Sequence, residues 1–83
     1  MKDRETILET VRTIMLEMFE IEPEQVTLEA RLYEDLDFDS IDAVDMIVKL
    51  KEITQKTIKP DDFKNARTVD DVVTALDQLM RQE

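Results

Sequence analysis

One serine stands among carboxylates. The run Leu36-Asp37-Phe38-Asp39-Ser40-Ile41-Asp42 sets a hydroxyl between Asp39 and Asp42. Its chemistry is limited by what the chain lacks. There is no histidine and no cysteine, so the commonest general base, the commonest metal ligand and any native thiol are missing. A nucleophilic serine needs a base within hydrogen-bond reach. A histidine triad cannot be built, and no lysine spacing points to a Ser–Lys pair. With no base–nucleophile constellation, the chain reads as non-catalytic. Ser40 then reads as an acceptor, modified by a separate enzyme that brings its own base and metal. A phosphodiester on the hydroxyl would meet the free N–H groups and positive dipole end of a helix start. The neighbouring carboxylates would repel it, so the modifying enzyme, not local affinity, must drive the reaction. Taken alone, Ser40 also fits an ordinary polar residue at a helix start, where serine is common.

The same acids invite a comparison with calcium loops. Asp35, Asp37 and Asp39 have the alternate spacing that opens an EF-hand, but that loop needs glycine at its sixth position and glutamate at its twelfth. Those positions hold Ser40 and Met46, so no metal site is expected.

The elements that must present Ser40 read as helices. Ile7, Val11, Ile14 and Met18 recur at helical spacing with Leu8 and Met15 beside them, predicting an amphipathic helix over residues 3–19. Asp3, Glu5 and Glu9 lie near its start, where the helix dipole favours acids. A connection over residues 20–39 follows, longer than most helix–helix loops. Ile21, Val26, Leu28, Leu32, Leu36 and Phe38 punctuate it as anchors, and Pro23–Val26 suits a short turn of helix. A second helix is expected from Ser40 to near Lys56. Asp39 serves as N-cap, Asp42 completes a capping box, and Ile41, Val44, Ile47, Val48 and Leu50 form its buried stripe. Pro60-Asp61-Asp62-Phe63 reads as the start of a short third helix. A last helix follows Thr68, with Asp71 at the capping-box position and a stripe of Val69, Val72, Val73, Leu76, Leu79 and Met80. The expected fold is all-α: a small four-helix bundle of three longer helices plus one short one, with a long loop after the first helix.

The chain has 83 residues and a net charge of −10. That length suits one domain, residues 1–83, with a modest core. Residues 22–45 hold nine acids and one base, a net of −8, so most of the negative field belongs to one stretch. Such a surface disfavours nucleic acid and attracts basic protein surfaces. Glycine is absent, which excludes a glycine-rich phosphate loop and disfavours an all-β fold. Hydrophobic residues make up 42% of the chain and fall in periodic stripes, which argues against disorder despite the charge. The N-terminal residues lack the apolar stretch of a signal peptide, and no run is long enough to span a membrane. The expectation is a soluble cytoplasmic protein.

From Leu32 to Leu50 the chain resembles the acyl carrier protein family, whose attachment site is an Asp-Ser-Leu-type motif opening the second helix. The matching residues are Asp35-Leu36, Asp39-Ser40-Ile41-Asp42 and Val44-Asp45. The likeness continues through Ala66, Thr68-Val69 and Asp71-Val72-Val73, so it covers nearly the whole chain. The resemblance implies that a phosphopantetheinyl transferase uses coenzyme A and a divalent metal to attach a 4′-phosphopantetheine arm to Ser40. The arm's thiol then holds acyl groups as thioesters for ketosynthases and other acyl-processing enzymes. Absence of cysteine agrees, since the thiol must come from a cofactor. The acids suit transient docking with fast exchange, and a monomer is expected when free.

Three departures stand out. Ile41 replaces the commoner leucine and can serve the same partner pocket. Asp37 occupies the place of a frequent glycine. Lys49 and Lys51 interrupt the acidic face that many bacterial fatty-acid carriers continue, so docking is expected to concentrate on Asp35, Asp39, Asp42 and Asp45 beside Ile41. Asp-Ser-Ile-Asp-Ala-Val-Asp together with Lys-Pro-Asp-Asp-Phe-Lys is similar to carriers of aryl-polyene or related polyketide-type pathways. Met15, Met18, Met46 and Met80 read as packing between helices. A compatible functional reading has Met46, Ile47, Leu50 and Phe63 line a space for an acyl chain. Two rivals remain open at this point: a peptidyl or aminoacyl carrier, and an acidic interaction module without cofactor.

Overall fold

Each helix starts where a carboxylate or hydroxyl can satisfy amides that have no partner within the helix. In the computed structural model, which describes residues 3–81, α1 runs over Arg4–Phe19, and the Asp3 side chain accepts from the Thr6 N–H at 2.8 Å. α2 runs over Ser40–Thr54 with Asp39 as N-cap. α3 runs over Val69–Arg81. There the Thr68 hydroxyl accepts from Asp71 N–H at 3.2 Å, and the Asp71 carboxylate accepts from the Arg67 and Thr68 amides. Single 3-10 turns occupy Pro23–Gln25 and Pro60–Phe63. The short helix expected at Pro60–Phe63 is therefore one four-residue turn, and three α-helices, not four, make up the all-α fold among the described residues. A run this short, with no apolar periodicity of its own, has nothing to propagate it into an α-helix.

The core forms where the three apolar arcs meet. α1 contributes Ile7, Val11, Ile14 and Met15, α2 contributes Met46, Ile47 and Leu50, and α3 contributes Val69, Val72, Val73 and Leu76. Val26, Ala30, Leu32, Leu36 and Phe38 of the long loop are buried among them, and Ile21 and Leu28 pack alongside. The expected loop anchors therefore fold inward. Met18 differs from expectation and is exposed, while Phe19 beside it in the last turn of α1 packs against the core.

The buried stripe expected for α2 is corrected more substantially. Ile47 and Leu50 are buried, but Ile41, Val44 and Val48 are 71%, 49% and 56% exposed. At about 100° per residue these three lie on the face opposite Met46 and Leu50. α2 thus carries two apolar arcs, only one of which the core uses.

The loop is held by backbone pairing as well as by its anchors. Arg31 and Thr68 form an isolated antiparallel bridge. Leu32 N–H donates to the Arg67 carbonyl at 2.8 Å, and the Val69 and Asp70 amides donate to the Ala30 and Leu28 carbonyls at 3.0 Å. Loop carbonyls therefore satisfy the first amides of α3. The Arg12 guanidinium donates to the Val26 carbonyl at 2.9 Å, tying the loop to α1.

Without glycine, left-handed backbone falls on other residues. Glu20 and Gln55 take it at the C-caps of α1 and α2, and Asp37 takes it at φ 54°, three residues before Ser40. The Asp37 conformation accounts physically for the glycine that the resembled family often places there.

Candidate functional site

Ser40 is the first residue of α2 and is exposed. Two contacts fix the approach to it. Phe38 N–H donates to the Leu32 carbonyl at 2.8 Å, and the Phe38 ring meets Phe19 edge-on at a centroid distance of 5.1 Å. Phe38 is thereby sunk into the core, and the next two residues emerge at the surface. The Asp39 carboxylate accepts from the Ile41 and Asp42 amides, both at 3.0 Å, and Asp42 returns a longer contact of 3.4 Å from Asp39 N–H. The α2 amides expected to face a phosphodiester are thus taken by Asp39. The Ser40 hydroxyl makes no hydrogen bond among the described residues.

Beside Ser40 opens a cleft of about 500 Å³. Phe38, Ala43, Met46, Ile47, Phe63 and Val72 supply its apolar wall, and Tyr33, Glu34, Lys64 and Arg67 its polar edge. Of the residues expected to form an acyl space, Met46, Ile47 and Phe63 line this cleft, whereas Leu50 lies fully buried in the core and is not among the lining residues.

The expected docking acids divide into two groups. Asp39, Asp42 and Asp45 belong to the start of α2, with Asp45 exposed. Asp35 is engaged by Arg31, whose backbone N–H donates to it at 2.8 Å and whose guanidinium reaches it at 3.4 Å while pairing with Glu34 at 2.7 Å. The Arg31 backbone bond, reinforced by its side chain, holds the Asp35 carboxyl below the usual range. Ile41 is the most exposed large apolar residue of α2, and Val44 and Val48 share its face. Sequence reasoning missed Val44 and Val48 as surface residues. A wheel drawn over residues 40–54 shows that they share a second apolar arc, but not which of the two arcs the core takes. Tyr33, Lys64 and Arg67 had no such signal, because only the folded loop brings them to the cleft.

A sequence profile described as a phosphopantetheine attachment site matches residues 9–76. The chain is 54% identical over 74 residues to acyl carrier protein 2 of Ralstonia nicotianae, covering 89% of this chain and 91% of that one. It is 37% identical over 67 residues to an acyl carrier protein of Thermosynechococcus vestitus, covering 81% and 83%. Against an acyl carrier protein of Phytoplasma australiense the identity is 32% over 72 residues, covering 87% and 95%. The chain belongs to the acyl carrier protein family.

The carrier is accordingly non-catalytic, and its prosthetic group is covalent 4′-phosphopantetheine. The group supplies the thiol that forms thioesters, which this cysteine-free chain cannot. The residues fit it: an exposed, uncommitted hydroxyl stands beside a cleft with an apolar wall. Family membership also brings interaction with a phosphopantetheinyl transferase and with synthesis enzymes. Among the described residues no helix is long and apolar enough to cross a membrane.

Proposed function

We propose that Ser40 is the attachment residue and that residues 1–83 act as a single carrier domain for acyl intermediates of a fatty-acid-like or polyketide-type pathway. The observation that carries this reading is the exposed Ser40 hydroxyl at the first turn of α2, without a hydrogen bond among the described residues and opening on the cleft. The cleft takes the acyl chain along Met46, Ile47 and Phe63, with Leu50 supporting them from the core. Asp39, Asp42 and Asp45 meet basic surfaces on the transferase, on ketosynthases and on other acyl-processing enzymes, with Asp35 a weaker participant because Arg31 already engages it. Ile41, Val44 and Val48 add an apolar strip for the same partners; exposed apolar patches rimmed by polar residues are typical of such contacts. The setting is cytoplasmic and the free protein monomeric. Similarity of Asp-Ser-Ile-Asp-Ala-Val-Asp and Lys-Pro-Asp-Asp-Phe-Lys to aryl-polyene-type carriers supports that branch of the family.

Intact mass after incubation with coenzyme A, magnesium and a broad-specificity phosphopantetheinyl transferase tests the site. The wild type is expected to gain one phosphopantetheine and Ser40→Ala none, with the variant folding normally because a first-turn surface change costs little stability. Modification of Ser40→Ala would move the attachment elsewhere, and gross unfolding of it would leave Ser40 a structural residue. Once loaded, a medium-length acyl chain should shift the methyl resonances of Met46 and Ile47. Unchanged methyl shifts would put the cargo outside the cleft.

A further inference from the structure

Two cations line the cleft, and among the described residues neither is held in an ion pair, although the charge of Arg67 is felt by the Asp71 carboxylate. Lys64 and Arg67 come from the segment between the Pro60–Phe63 turn and α3, whereas Ser40 comes from α2, yet all three border one cavity. Neither cation makes an ion pair or a side-chain hydrogen bond among the described residues, while Arg4, Arg12, Arg31 and Arg81 are all paired. The Arg67 main chain is fixed at both ends: its N–H donates to Asp71 at 2.9 Å and its carbonyl accepts from Leu32 at 2.8 Å. Its side chain therefore springs from an anchored point on the cleft edge.

A phosphodiester on Ser40 would sit in an unfavourable place on α2. The amides that normally receive phosphate at a helix start are occupied by Asp39. Asp39, Asp42 and Glu34 add negative charge nearby, within the stretch that carries a net of −8. Among the described residues, Lys64 and Arg67 are the only cationic side chains lining the same cavity. A phosphodiester presents one negative charge on two non-bridging oxygens, which a guanidinium can receive through paired N–H donors and an ammonium as a point charge.

We propose that Lys64 and Arg67 receive the phosphodiester of the arm on Ser40 and so turn the arm over the cleft instead of outward. The inference rests on Ser40 being the attachment residue. Both cations are exposed, so the pairing is screened by salt. The arm is then held loosely: over the cleft at rest, and released when a basic partner surface competes for the phosphate.

The test uses the full-length holo-protein, with its mass checked first and a neutral nitroxide on the arm thiol in place of cargo. Wild type, Lys64→Gln/Arg67→Gln and Lys51→Gln are compared, the last removing a cation that does not line the cleft. The Arg67 Nε–Hε resonance should shift between apo and holo forms. The immobilised component of the nitroxide spectrum should be lost in the double variant and at high salt, and kept in Lys51→Gln. Equal mobility in wild type and double variant, with no Arg67 shift, overturns the proposal. An effect that appears only when the thiol bears a carboxylate-containing acyl group also overturns it, by assigning the cations to cargo. Failure of the wild type to gain phosphopantetheine sinks the attachment reading instead, and this inference with it.

Discussion

At the scale of the residue, the charges around Ser40 are not equivalent. Asp45 is exposed and has no ion-pair partner among the described residues, Asp39 is committed to two amides, and Asp35 is shared with Arg31. Only a charge that can leave its own protein's contacts is fully available to a partner. Asp45→Lys is therefore expected to slow phosphopantetheinylation about tenfold at low ionic strength, since steering by charge changes encounter rates by 10-fold or more. The deficit should shrink towards 1 M salt, where the screening length falls to about 3 Å. Asp42→Lys should act in the same direction, but it also removes the weak return contact of the capping box. Transferase rates measured across a salt series check this, and equal rates for Asp45→Lys and wild type at low salt would remove Asp45 from docking.

At the scale of the element, the helices are well started and awkwardly ended. Carboxylates and hydroxyls cap all three N-termini. The ends of α1 and α2 instead force Glu20 and Gln55 into left-handed backbone at φ 58°. That conformation costs a non-glycine residue about 1–2 kcal/mol, and glycine is the usual occupant. Part of the gain from glycine is lost to its greater freedom in the unfolded chain, by about 0.5–1 kcal/mol. Gln55→Gly is thus expected to stabilise by about 0.5–1 kcal/mol. A rise in the urea midpoint at unchanged slope would show it. A lower midpoint would mean that the Gln55 side chain makes a compensating contribution.

At the scale of the whole molecule, charge works against the fold. The net charge is −10, and the five side-chain ion pairs described are surface pairs, each worth about 0–1 kcal/mol. Self-repulsion should therefore outweigh pairing at neutral pH. Raising salt to about 0.5 M should raise Tm, by about 4–8 °C for each kcal/mol of repulsion screened in a domain this size. A falling Tm would give the ion pairs the larger share. The pH dependence has two parts. Hydrogen bonds from Thr6 hold Asp3 below the usual carboxylate range, and those from Arg67 and Thr68 do the same for Asp71. Groups depressed in the folded state contribute stability that is present above their unfolded pKa and lost as pH falls through the folded one. Mild acidification should accordingly relieve repulsion without loosening these caps, and stability should fall only below the ordinary aspartate range.

The sequence by itself determined the local features. Asp39, Thr68 and Asp71 announced where α2 and α3 begin, because capping is a matter of residue type within one turn. The apolar residues of the long connection announced that it folds inward, and Asp-Ser-Ile-Asp at the head of α2 singled out Ser40. Tertiary structure decided what depends on contacts between segments. Periodicity could not say that Val44 and Val48 face outward, since α2 has two apolar arcs and only its neighbours select the buried one. Nor could spacing reveal that Arg31 takes up Asp35, that the loop pairs its backbone with the start of α3, or that Lys64 and Arg67 border the same cleft as Ser40. Apart from the local Arg31–Asp35 pair, those relations join residues far apart in the chain, and they exist only once the core has brought the loop, α2 and α3 together.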